Sequence, residues 1–99
     1  MKSKYKKAMA HGKAYANGLY NDFIKCPEDL GPNFTWEGFP FMCGRLATVS
    51  LFNMFSDRAW YSFSQKQRNE LEEFCYNFTV KTAKELLEAE DGEETSNGN

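Results

Sequence analysis

The stretch SQKQRNELEEFCYNFTVKTAKELLEAE, residues 64–90, decides the fold. Leu71, Phe74, Cys75, Phe78, Thr82 and Leu86 recur at helical spacings and fall on one face of an α-helix. Glu70, Glu72, Glu73, Lys81 and Lys84 lie largely elsewhere around it. Ser64 stands where the helix needs an N-cap, and Gln67 follows three residues later. That pair predicts a capping box, in which each side chain satisfies the other residue's backbone N–H. A helix is expected from about residue 65 to 89. Glu88, Glu90 and Asp91 then pile negative charge where the helix dipole opposes it, and Gly92 permits a break. Residues 91–99 are expected to be an acidic disordered tail on a single helical domain spanning 1–90.

Upstream lies the most apolar stretch, residues 41–55. Leu46, Val49, Leu51, Phe52, Met54 and Phe55 nearly encircle a helix, which describes a central buried one. Periodicity alone leaves a buried strand open for so short a run, and its length favours a helix. The run Arg58 to Phe63 is either one more helical turn or a short connection. Between Lys25 and Pro40, Pro27, Gly31, Pro32, Gly38 and Pro40 punctuate a loop. That loop carries Phe34, Trp36 and Phe39, with Phe41 just after it, so it is expected to be tethered to the core.

The first segment, from about Ser3 to Phe23, also reads as a helix, with Ser3 as its N-cap. Tyr5, Met9, Gly12, Ala16, Leu19 and Phe23 draw one stripe along it. Gly12 and Gly18 each cost about 1 kcal/mol against Ala in a helix interior. Close approach of another element would offset that cost. The alternative is a break at Asn17-Gly18, with Gly as the C-terminal cap. The fold class is therefore all-α: a small three-helix domain with an aromatic-rich loop between helices 1 and 2.

Catalytic chemistry is not expected. The chain has one His and three scattered Cys, with none of the paired spacing a structural zinc site uses. His11 sits in a lysine-rich start expected to be exposed, far in sequence from any thiol it could activate. The carboxylates read as solvated faces or tail rather than an acid–base pair in a cleft. No Gly-rich phosphate loop is present. No enzyme, cofactor or metal is expected. No run approaches the roughly 18 apolar residues of a membrane span, and no apolar stretch follows the first lysines as a secretory signal requires. An odd, unpaired set of cysteines suits a reducing cytoplasmic setting.

Binding is the expected role. The net charge of −2 hides a basic front and an acidic back. Lys2, Lys4, Lys6, Lys7 and Lys13 are the candidate polyanion contacts, and their affinity would depend steeply on salt. Arg58, Trp60 and Tyr61 sit together at a hinge and are of the types enriched at interface hot spots. They are the candidate contacts to a protein partner, with Trp36 as a further contact or as a loop anchor. Replacing Trp60 with Ala is expected to leave folding largely intact and to weaken a complex by about 2 kcal/mol or more. A protein partner leads, and a ribosome or RNA partner is second. A homo-oligomer through the Gly/Ala stripe of the first helix is third. Small acidic, aromatic-rich chains without catalytic motifs resemble in type the host-modulating proteins that bacteriophages encode.

Ala8-x-x-x-Gly12-x-Ala14-x-Ala16-x-Gly18, then Cys26-Pro27, then Trp36-x-Gly38 resembles the ribosome modulation factor family, small bacterial proteins that bind ribosomes during hibernation. The likeness covers roughly residues 4–45. The third helix and acidic tail have no counterpart in that family, which is basic rather than acidic. The resemblance implies that Lys4, Lys6, Lys7 and Lys13 face RNA and that Trp36 pins the turn.

Overall fold

A computed structural model of the protein describes residues 2–89 in full and the backbone alone as far as 97. The acidic disordered tail expected over 91–99 lies outside the fully described residues. Four helices form among the described residues: α1 (Ser3–Lys25), α2 (Phe39–Val49), α3 (Asp57–Ser62) and α4 (Gln65–Asn97). Single 3₁₀ turns at Pro27–Asp29 and Leu51–Met54 complete the order, and no strand appears among those residues. The all-α expectation holds. The helix beyond the three expected is α3, the run left open between a helical turn and a connection.

Local chemistry sets the boundaries. Ser64 Oγ accepts from the Gln67 N–H at 3.1 Å, and Gln67 Oε1 accepts from the Ser64 N–H at 2.8 Å. This is the reciprocal box that residues 64–67 spell out. Ser56 caps α3 by accepting from the Ala59 N–H at 3.1 Å. α1 begins at Ser3, with Lys2 as its N-cap and no side-chain cap, one residue earlier than expected. It then runs unbroken through Asn17-Gly18. α2 starts earlier than the expected residue 41, because Pro40 falls in its first turn. There a missing N–H costs nothing and the fixed φ suits a helix. The helix ends at Val49, so Leu51–Met54 make a separate turn rather than its last one.

α1 and α4 run parallel. Ala8 faces Cys75, whose Sγ lies 3.9 Å from the Ala8 carbonyl oxygen. A Cβ built on Gly12 would collide with Thr79 Oγ1. Ala16 and Ala83 share one buried cluster. Small residues spaced by four on both helices therefore let the two axes approach closely. α2 runs antiparallel to both: Phe39 at its start meets Phe23 of α1, while Ser50 after its end meets His11. α2 reaches α4 the same way, since a Cβ on Gly44 would sit 2.7 Å from Val80 Cγ2 and 2.9 Å from the Tyr76 ring. The expected Gly/Ala self-association stripe is thus consumed inside the chain.

Gly18 is different, for nothing lies within 4 Å of a Cβ placed there. Its cost to α1 is not offset by packing. Gly18→Ala is expected to stabilise the protein by roughly 0.5–1 kcal/mol, the helix-interior difference between the two residues. A urea melt would show a higher midpoint at unchanged slope.

Two clusters fill the interior. One gathers Ala8, Ala47, Leu51, Leu71 and Cys75 at the end where α1 and α4 begin. The other gathers Ala16, Phe39, Cys43 and Ala83, with Tyr20, Phe23, Phe34 and Leu86 around them, at the opposite end.

Candidate partner-binding site

α3 turns the chain from α2 into α4 at the end where α1 and α4 both begin. Trp60 lies half-buried on its inner side, 5.7 Å from the Phe55 ring and 6.2 Å from that of Phe63. Tyr61, the next residue, is 73% exposed, and the Arg68 guanidinium sits 5.7 Å from its ring centre. Arg58 is exposed on the same short helix. The expected Arg58, Trp60 and Tyr61 corner therefore divides: Trp60 is as much packing as surface, and Tyr61 is surface. Trp60→Ala would remove core contacts along with any partner contact, so Tyr61 is the cleaner probe.

Lys4 and Lys7 reach this corner from α1. The Lys4 ammonium lies 5.2 Å from the Phe63 ring centre and 5.6 Å from that of Tyr5, and Lys7 lies 5.2 Å from that of Phe55. Lys2 and Lys6 are exposed on the same first turns. Because α1 and α4 are parallel, Lys66 and Arg68 at the start of α4 join this end. Lys13 lies further along α1 and is exposed. Trp36 belongs to the opposite end, 38% exposed, with its ring 5.0 Å from Phe34, 5.2 Å from Phe39 and 6.1 Å from Tyr20. The structure thus joins the basic start to the Arg58–Tyr61 corner and leaves Trp36 apart.

Three residues that sequence reasoning placed in the core are on the surface here. Val49 is 69% exposed, Phe52 48% and Leu46 39%, against the expectation of a buried central helix. α2 buries Phe39, Pro40, Cys43, Gly44 and Ala47, and that face turns Val49 outward. Thr48, Val49, Phe52, Asp57, Trp60, Tyr61 and Glu72 line one groove of about 270 Å³ between the end of α2, α3 and α4. A stretch apolar on every side carries no sequence signal for which of its positions stay wet.

His11 is also a correction: it is buried, not exposed. Its Nε2 lies 2.9 Å from Ser50 Oγ, and its ring packs edge-on against Tyr15 at 4.9 Å. Ser50 Oγ also lies within hydrogen-bond reach of the Leu46 carbonyl at 2.7 Å, which ties the histidine to the end of α2. Burial lowers the His11 pKa below 6.5, against a smaller opposing pull from the Ala47 carbonyl. The unfolded chain then takes the proton more readily than the folded one. Stability held above pH 6.5 is expected to fall as pH drops through the depressed folded value. Urea melts between pH 7.5 and 5.5 check this, and His11→Gln should flatten the difference.

Two of the three thiols, Cys43 and Cys75, are buried and stay protonated at neutral pH. Burial pushes Cys43 up to about 11. It raises Cys75 as well, with Glu72 adding to the shift and a hydrogen bond to Thr79 offsetting part of it. No group of three metal-ligating side chains converges among the described residues. No described helix is long and apolar enough to cross a membrane. No protein family, curated protein or solved structure matches the chain.

Proposed function

We propose that this protein is a non-enzymatic binding module that docks on a protein partner through the groove beside α3 and modulates or inhibits it by steric contact. One observation carries the reading: Val49, Phe52 and Tyr61 stand exposed around a single groove, with Trp60 on its lining. The chain buries Phe39, Leu51 and Leu71 completely, so it has the means to hide apolar side chains and leaves these three out. Clustered exposed apolar side chains with charged neighbours are the usual mark of an interaction surface. Aromatic anchors at the centre of such a patch carry most of the binding energy.

Tyr61→Ala is expected to weaken the complex by about 2 kcal/mol, roughly 30-fold, while leaving the urea midpoint unchanged. Parallel pulldowns with wild type, Tyr61→Ala and Lys6→Gln, each with and without nuclease, test the reading. A partner kept by Lys6→Gln, lost from Tyr61→Ala and indifferent to nuclease supports it. A partner that persists with Tyr61→Ala overturns it.

A second reading, a ribosome or RNA partner, is favoured by the parallel packing of α1 and α4. That packing gathers Lys2, Lys4, Lys6, Lys7, Lys66 and Arg68 at one end, beside two helix N-termini with no acidic residue in their first turns. Binding that collapses with rising salt and with loss of these lysines would select this reading over the first.

A further inference from the structure

We infer that the groove beside α3 takes a cationic amphipathic segment of the partner protein, one in which apolar side chains stand next to Lys or Arg. This rests on the docking reading above and adds the partner's chemistry. The apolar part of the lining is Val49, Phe52, Trp60 and Tyr61. Asp57 and Glu72 line it too, and no Lys or Arg does. Every lining residue comes from α2, the turn after it, α3 or α4, and none from α1. The α1 lysines sit over rings that do not line the groove, Lys4 over Phe63 and Lys7 over Phe55. The Arg68 guanidinium lies near the Tyr61 ring and does not line the groove.

The chemistry of the occupant follows. An acidic segment would bring like charge against Asp57 and Glu72. A purely apolar one would cover two carboxylates and give them no counter-charge, which costs free energy. A segment with Lys or Arg beside its apolar side chains fills the floor and pairs the rim. The electrostatic part of that match sets orientation and encounter rate more than raw affinity.

Trp60 lines the groove, so its fluorescence reports occupancy. The Trp36→Phe variant of the full chain leaves Trp60 as the sole indole and keeps a ring among Tyr20, Phe34 and Phe39. The probes are a Leu/Lys amphipathic peptide and a Leu/Glu peptide of the same length. The Leu/Lys peptide is expected to shift Trp60 emission, and the Leu/Glu peptide to leave it unchanged. Asp57→Asn and Glu72→Gln should each weaken binding about two- to fivefold, as exposed ion pairs do. The paired change Glu85→Gln and Glu88→Gln, at the far acidic end, should leave it unchanged.

Silence with the Leu/Lys peptide, equal binding of the Leu/Glu peptide, or indifference to Asp57→Asn and Glu72→Gln overturns the inference. So does Trp60 emission that changes with protein concentration alone, which would mark a second copy as the occupant. If the Leu/Lys peptide fails while Tyr61→Ala still strips a partner in the pulldown, the docking reading stands and only the charge assignment falls.

Discussion

Phe39→Ala is expected to cost about 3–5 kcal/mol, the range for emptying a fully buried aromatic site. A domain of this size has only about 5–15 kcal/mol in hand. Phe39 is fully buried and joins three parts of the fold. Its ring packs 5.9 Å from Phe23 and 6.3 Å from Tyr20 on α1, and 6.4 Å from Phe34 and 5.2 Å from Trp36 in the loop. Through Ala83 it also meets α4. Truncation leaves a cavity that four rigid rings cannot collapse into, which puts the cost at the upper end. Phe41 is the control. It lies two residues on, is 41% exposed, and carries the Lys84 ammonium 5.1 Å from its ring centre. Phe41→Ala should stay within about 0.5–1 kcal/mol of wild type. Urea melts of the two variants check the register of α2, and equal losses would refute it.

That contrast marks how far the sequence could be read. Phe39 and Phe41 looked alike as rings flanking a proline. Their separation depends on Pro40 opening a helix rather than ending a loop, and sequence punctuation does not distinguish the two. α4 was legible because its cap chemistry is local: Ser64 and Gln67 need nothing beyond their own turn. Its buried face was less legible. Thr79 is fully buried and Thr82 only partly so, because the α1 contact runs through Leu71, Cys75, Thr79 and Ala83. A seam of small residues has too little hydrophobicity to stand out from the polar faces beside it. His11 was misplaced for the same reason. The Ala8, Gly12, Ala16 seam draws the helices close, which widens the buried arc of α1 until it includes a residue flanked in sequence by lysines.

For the site, the residue types at Arg58, Trp60 and Tyr61 were readable and their company was not. Lys4 and Lys7 reach the corner only because two helix starts share one end. Val49 stands on the surface because α2 buries the face that carries Cys43 and Ala47, and Phe52 because it belongs to the separate turn after α2 ends. Both facts belong to topology, and neither has a signature in a single segment.

The seam itself is the second place where one substitution should have a large effect. Gly12→Val is expected to destabilise the protein by about 3 kcal/mol, the upper end for overpacking a close-packed interior. Even a lone Cβ at this position collides with Thr79 Oγ1, and the Phe78 ring stands 3.4 Å away. Thr79 cannot rotate aside at little cost, since its hydroxyl donates to the Cys75 carbonyl at 2.6 Å in a site with no water contact. The strain must go into the α1·α4 spacing instead, and Ala8 and Ala16, one turn either side, would lose contact with it. Valine also gives back part of the helix propensity that leaving glycine would gain. Thr79→Ala in the Gly12→Val background should recover part of the loss, because it removes the atom struck first. A double-mutant cycle in urea measures that coupling, expected to exceed about 0.5 kcal/mol for residues in direct contact. Additive losses would mean that α1 and α4 do not meet at Gly12 and Thr79, and with them would go the parallel packing that places the lysines beside α3.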